Sequence, residues 1–184
     1  MVEKTHLILS EYESLSVQRF ETWNDMAEKI RFILNGEPVE SNWKANERLL
    51  DVLREEFRMT GVKCGCREGE CGACSVLIDG QLANSCLVAL GAVSGREVET
   101  IEGFSRSERF EILSDAFADL SAVQCGFCIP GMVLAAESLL RFNPHPTELE
   151  IREGLSGNIC RCTGYNAIVH AIQNACRPDR KSVV

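Results

Sequence analysis

Histidine is scarce in this chain, basic residues are outnumbered, and long apolar runs are missing. The three histidines, His6, His145 and His170, show no ligand spacing, and His145 lies between Pro144 and Pro146 in an expected loop. A Rieske-type centre, which needs histidines near its cysteines, is therefore excluded. Lys and Arg number 19 against 27 Asp and Glu, a net charge of −8. That excess of negative charge argues against nucleic acid as a partner. No apolar stretch approaches the ~20 residues of a membrane-spanning helix, so no membrane is expected. The opening Met1-Val2-Glu3-Lys4-Thr5-His6-Leu7 has neither an apolar h-region nor a twin arginine. No export signal is expected, and a cytoplasmic setting is the default. No nucleophile, acid and base stand together in a pattern that offers covalent chemistry.

What the chain has instead is cysteine, ten in 184 residues. Without a sign of secretion, that number points to metal rather than to disulfides. Cys66, Cys71 and Cys74 stand in a C-x4-C-x2-C spacing, and Cys86 follows after eleven more residues. This is the plant-type arrangement for a [2Fe–2S] cluster, with three thiolates from one loop and a fourth from further on. Gly65, Gly69 and Gly72 lie among these cysteines, where a loop wrapping a compact core needs unusual backbone angles and close approach of N–H groups to sulfur. A zinc site built on Cys71 and Cys74 leaves Cys66 unexplained.

The length suits one domain or two small ones. Residues 1–28 form an extension expected to be disordered; Phe20 and Trp23 are what it would bury if it were instead a docking arm. Ile30, Phe32 and Leu34 alternate, Asn35-Gly36 signals a type I′ hairpin, and Val39 opens a second strand. Asn46 is the expected cap of a helix whose apolar face is Leu49, Leu50, Leu53 and Phe57, with Gly61 at its C-terminal end. Ser75–Ile78 and Gln81–Asn84 flank Asp79-Gly80, a second hairpin, and Glu97–Ile101 reads as a last strand. These elements suit a small α+β domain with its sheet packed on one helix.

Beyond Gly103 strand signals vanish. Phe110, Leu113, Phe117 and Leu120 share one helical face; Met132, Val133, Ala136, Leu139 and Leu140 share a second. Thr147-x-x-Glu150 is a capping box opening a third helix, and Ile168, Ala171, Ile172 and Ala175 mark a fourth. Four helices with short links read as a bundle. It carries Cys125 and Cys128 ahead of Pro130, expected at a helix start, and Cys160 and Cys162 ahead of Thr163, an expected N-cap. Helix N-termini favour thiolates and an anionic cluster. From spacing alone this second set suits zinc and [2Fe–2S] equally; the first site tips it toward a second cluster, since two clusters in one chain make a relay. Cys64 is left as a bystander thiol, and Cys176, in register with Ile172, as a small buried hydrophobe.

The runs Gly65-Cys66-x4-Cys71-Gly72-Ala73-Cys74-Ser75-Val76, Gln124-Cys125-Gly126-Phe127-Cys128 and Gly157-Asn158-x-Cys160-Arg161-Cys162-Thr163-Gly164-Tyr165 resemble, in that order, the small iron–sulfur subunit of the xanthine oxidase family of molybdenum hydroxylases. The resemblance covers about residues 29–176. Ser75 and Ile129 stand where the family often has threonine, and the N-terminal extension is longer than usual. It implies a ferredoxin-like β-grasp domain over 29–103, an all-α four-helix bundle over 104–178 and a tail over 179–184. It implies two [2Fe–2S] clusters, on Cys66, Cys71, Cys74 and Cys86 and on Cys125, Cys128, Cys160 and Cys162. It further implies that Gln124 hydrogen-bonds the pterin of a molybdenum cofactor and that Cys162 lies against that pterin. Read without the resemblance, Gln124 is a polar residue at a helix end. The molybdopterin centre would sit on a large partner subunit and FAD on a medium one, in a hetero-oligomer such as a dimer of heterotrimers. Purines are the first substrate to expect; aldehydes, N-heterocycles, carbon monoxide and 4-hydroxybenzoyl-CoA stay open, as do a free-standing ferredoxin and a zinc-stabilised binding module.

Overall fold

The computed structural model describes residues 29–176. The expectations for 1–28 and 179–184 lie outside the described residues. The first half is built on β1 (Ile30–Leu34) and β2 (Glu37–Ser41), joined by Asn35 and Gly36 at φ 53° and 84°, the left-handed pair that a type I′ turn requires. Along β1, Ile30, Phe32 and Leu34 are buried while Arg31 and Ile33 are exposed, as strand alternation dictates. A second such turn, Asp79-Gly80 at 49° and 78°, joins β3 (Ser75–Ile78) to β4 (Gln81–Asn84). β5 (Glu97–Glu99) inserts between the hairpins, parallel to β1 and antiparallel to β3, giving the order β2-β1-β5-β3-β4.

One face of this sheet covers α1 (Leu49–Glu55), whose Leu49, Leu50, Val52 and Leu53 are wholly buried. β3 is buried along its whole length because it has a core on each side. Val76 and Ile78 belong to the core around α1, and Leu77 to the core of the helices that follow. These are α2 (Ile101–Phe104), α3 (Glu108–Asp119), α4 (Ile129–Phe142), α5 (Glu148–Gly154) and α6 (Asn166–Ala175). α3 packs on α4 and α6, α5 packs on both α4 and α6, and α4 lies on β3 and β4. The fold is thus mixed, a five-stranded sheet plus several helices. Among the described residues no helix is long and apolar enough to cross a membrane.

Several local expectations need correction. Asn46 does not cap α1; the cap position is Arg48, with no side-chain bond, and the Leu49 amide is satisfied by the Val88 carbonyl at 2.8 Å. The helix stops before Phe57, which instead meets Phe32 edge-on at 5.7 Å. Gly61 does not close the helix, because left-handed Arg58 (φ 59°) turns the chain earlier. The last strand is shorter than expected. The Asn35 side chain accepts the Thr100 amide at 2.8 Å, ending β5 and starting α2 at Ile101. Leu120 falls just past α3 and is exposed. The Thr147–Glu150 capping box is present in both directions.

Gly61 has a different task. A Cβ there would lie 2.3 Å from Cγ2 of Ile101, at the seam between the sheet half and α2. Gly61→Ala is expected to cost about 1–3 kcal/mol by overpacking, read as a lowered unfolding midpoint. An unchanged midpoint would show that the seam yields freely.

Candidate metal centres

Three cysteines of the first set, Cys66, Cys71 and Cys74, lie on the loop between α1 and β3, and the fourth, Cys86, follows β4. Arg67, Gly69 and Gly72, at φ 63°, 79° and 65°, bend this loop back on itself. Cys66 Sγ accepts the amides of Glu68 and Glu70, each at 3.3 Å, and Cys71 Sγ accepts the Cys66 amide at 3.4 Å. Amides aimed at sulfur stabilise thiolate. The Glu68 amide foremost, then that of Cys71, brings the Cys66 thiol down to about 7. Gly65 is required by close approach, since a Cβ there would lie 2.7 Å from Cys71 Sγ. Cys74 and Cys86 are buried side by side beneath the loop, and burial pushes the Cys74 thiol up to about 11. Arg67 ties the loop outward to Asp51 of α1 at 2.5 Å.

The second set joins the start of α4 to the segment before α6. Cys128 is the N-cap residue of α4, and Pro130 is the second helical residue, not the first. Thr163 does not cap α6; Tyr165 does by position, in the left-handed region at φ 69°. Thr163 instead gives Cys160 Sγ its hydroxyl at 3.1 Å and its amide at 3.4 Å. Burial works against a Cys160 thiolate, but these bonds outweigh it and the thiol sits below its ordinary value. The Tyr165 hydroxyl accepts the Cys160 amide at 2.9 Å. Cys128, held beside Cys160, is pushed up to about 12, first by burial and then by that neighbour. Cys162 Sγ lies 3.6 Å from Cys125 Sγ, and both are exposed.

The eight sequence-predicted cysteines therefore meet in pairs: Cys66 with Cys71, Cys74 with Cys86, Cys125 with Cys162, and Cys128 with Cys160. The 3.6 Å separation of Cys125 and Cys162 is about what two thiolates on one tetrahedral metal with ~2.3 Å bonds require. Among the described residues, no three His, Cys, Asp or Glu side chains converge as on a single ion. A thiol-rich, amide-lined donor set arranged as two pairs per site fits a two-iron cluster. Gln124 is exposed next to Cys125, and Val123 and Phe127 around it are exposed too. Cys64 stands outside the pairs with Arg67 Nη1 at 3.7 Å, and Cys176 donates its thiol to the Ile172 carbonyl at 3.0 Å.

Sequence reasoning missed the contacts that join the two sites. The Ile159 amide, next to Cys160, donates to the Cys71 carbonyl at 2.9 Å. Asn158 is buried against Gly72. Both residues lie in recognised motifs, but nothing local shows that they reach across the molecule.

Two family models match the chain, a 2Fe-2S iron–sulfur cluster binding domain over residues 32–99 and a [2Fe-2S] binding domain over 100–173. The chain is similar to a probable xanthine dehydrogenase subunit of Bacillus subtilis, 43% identical over 154 residues, which is 84% of this chain and 87% of that one. It is 45% identical to the nicotinate dehydrogenase small FeS subunit of Eubacterium barkeri, covering 79% of this chain and 93% of that one. Among solved structures, quinoline 2-oxidoreductase from Pseudomonas putida 86 matches with a TM-score of 0.77 at 42% identity, over 84% of this chain and 96% of that one.

Proposed function

The chain belongs to the small iron–sulfur subunits of the xanthine oxidase family, and from that premise we propose that it relays electrons singly from a molybdopterin centre on a large subunit toward FAD on a medium one. When bound, a [2Fe–2S] cluster supplies reversible one-electron chemistry, which splits the electron pair leaving a two-electron oxidation. The residues of this chain hold, insulate and tune. Cys66, Cys71, Cys74 and Cys86 hold one cluster, and Cys125, Cys128, Cys160 and Cys162 the other. The observation that carries this reading is the pairing of these eight thiols, which supports two irons at each site over one zinc. The amides on Cys66 and Cys71 and the Thr163 donors on Cys160 favour anionic sulfur. The link from the Cys71 carbonyl to the Ile159 amide keeps the two sets in one frame.

The domain boundary is placed near residue 103, with a β-grasp before it and a four-helix bundle of α3–α6 after it. The exposed face around Gln124, Cys125 and Cys162, rimmed by Val123 and Phe127, is the surface offered to the large subunit. There Gln124 donates to the pterin and Cys162 lies against it. The assembly is read as a cytoplasmic dimer of heterotrimers, with xanthine or another purine as the first substrate to test. Exposed cysteines at the second site support this over a free-standing ferredoxin, which gains nothing from leaving that site open to solvent.

The test is isolation of the native complex through a tag on this chain. A large molybdopterin subunit, a FAD subunit and about four irons per copy, with two distinct spin-half signals after dithionite reduction, are expected. The chain coming down alone with its irons would favour the free ferredoxin, and zinc with no signal would sink the relay. Turnover of xanthine, nicotinate and an aldehyde by the same sample separates the substrate classes. Cys64→Ser with Cys176→Ala is expected to leave about four irons and both signals in place, because Cys64 is engaged by Arg67 and Cys176 by the Ile172 carbonyl; loss of iron in that variant would reassign a ligand.

A further inference from the structure

Three cysteine-bearing segments meet at one buried point. Gly72, between Cys71 and Cys74, points its carbonyl at α4, where a Cβ on Gly131 would lie only 2.3 Å from that oxygen. Gly131 is three residues after Cys128. Asn158, two residues before Cys160 and 3% exposed, donates its side-chain amide to the same Gly72 carbonyl at 3.0 Å. A Cβ on Gly72 would lie 2.4 Å from Nδ2 of Asn158 and from the Gly157 carbonyl. The Ser75 hydroxyl also donates to the Gly72 carbonyl, at 2.7 Å, from within the sheet half.

From this convergence we propose that Asn158 is a positioning residue that fixes the spacing and orientation of the two cysteine sites through the Gly72 carbonyl. The proposal rests on the two-cluster reading. Gly72 is one bond from Cys71, and Asn158 is two residues from Cys160, so movement at this junction displaces ligands of both sites together. The bond is not needed to satisfy the carbonyl, because Ser75 already does so. Its loss therefore removes one of two ties across the junction without leaving an orphaned acceptor, and the Ile159–Cys71 backbone bond that remains does not by itself fix the orientation. Electron exchange between fixed centres falls with their separation and changes with their relative orientation, so a shift at this junction is read directly in the exchange rate.

The test uses the assembled holoenzyme carrying Asn158→Ala or the milder Asn158→Ser. Val93→Ala, which opens a cavity in the core around α1 and touches none of the hydrogen bonds at this junction, is the control for lost stability. Pulse reduction followed by spectroscopy reads the rate of electron exchange between the two centres, and low-temperature EPR reads the splitting between their reduced signals. The Asn158 variants are expected to keep about four irons while exchange slows several-fold and the splitting shrinks; Val93→Ala keeps both at wild type. Unchanged exchange and splitting in Asn158→Ser, or equal losses in Val93→Ala, overturn the positioning role. A wild-type sample without two signals overturns the two-cluster reading instead, and the proposal with it.

Discussion

Cys74→Ser in the assembled enzyme is expected to lower iron from about four atoms to about two per chain, erase one of the two reduced EPR signals and leave the other. Cys74 is 3% exposed and lies against Cys86, beneath a loop whose amides point at Cys66 and Cys71. A serine hydroxyl in this position does not ionise at neutral pH and offers a hard oxygen where the site presents soft sulfur. Burial already raises the Cys74 thiol to about 11, so the sulfur is held ionised only when metal displaces its proton. Serine forfeits that exchange. Losing a partner behind a metal ligand typically costs 10–100-fold, so losing the ligand should cost turnover with a FAD-side acceptor at least ~100-fold. Cys162→Ser should erase the other signal, and its exposed position makes it the variant that least disturbs folding. Full iron with both signals in either variant would remove that cysteine from the ligand set.

The two variants differ in what the sequence could say about them. Spacing alone separates Cys66 from Cys64, and the turn-forming pairs Asn35-Gly36 and Asp79-Gly80 announce their hairpins because few residues tolerate φ at 53° or 84°. The Thr147–Glu150 box is equally local. What was illegible depends on tertiary partners. Asn46 looks like a cap, but the first amide of α1 finds Val88, 39 residues further on by the numbering. Thr163 looks like a cap, but its hydroxyl is drawn to the Cys160 sulfur, and Tyr165 takes the strained position to place its own hydroxyl on the Cys160 amide. Gly61 looks like a helix end and is a packing seam. Asn158 stands in a recognised run, but nothing local shows that the fold brings Gly72, 86 positions away, under its side chain.

The buried carboxylate of Glu137 is the strongest case of a feature without a local signal. Residues 131–137 are all buried, because β3 covers one side of α4 and the other helices the rest. Glu137 is 0% exposed and accepts Nε of Arg109 from α3 at 2.8 Å and Nε of Arg141 at 2.7 Å. Arg141 reaches on to Glu99 of β5 at 2.9 Å, so one carboxylate joins two helices and, through Arg141, the sheet. Breaking a buried pair by removing one partner costs about 3–5 kcal/mol. Both guanidiniums are roughly half exposed and can rehydrate, which favours the low end. Glu137→Ala is thus expected to destabilise by about 3 kcal/mol, a fall of roughly 6–12 °C in the unfolding midpoint for a chain of this size. Glu137→Gln keeps the shape and one acceptor oxygen and should lose less. Replacing Glu137, Arg109 and Arg141 together by methionine should recover much of the loss, since no charge is then left without its partner. A Glu137→Ala midpoint within about 2 °C of wild type would mean that the carboxylate is held by the surrounding packing and contributes little to it.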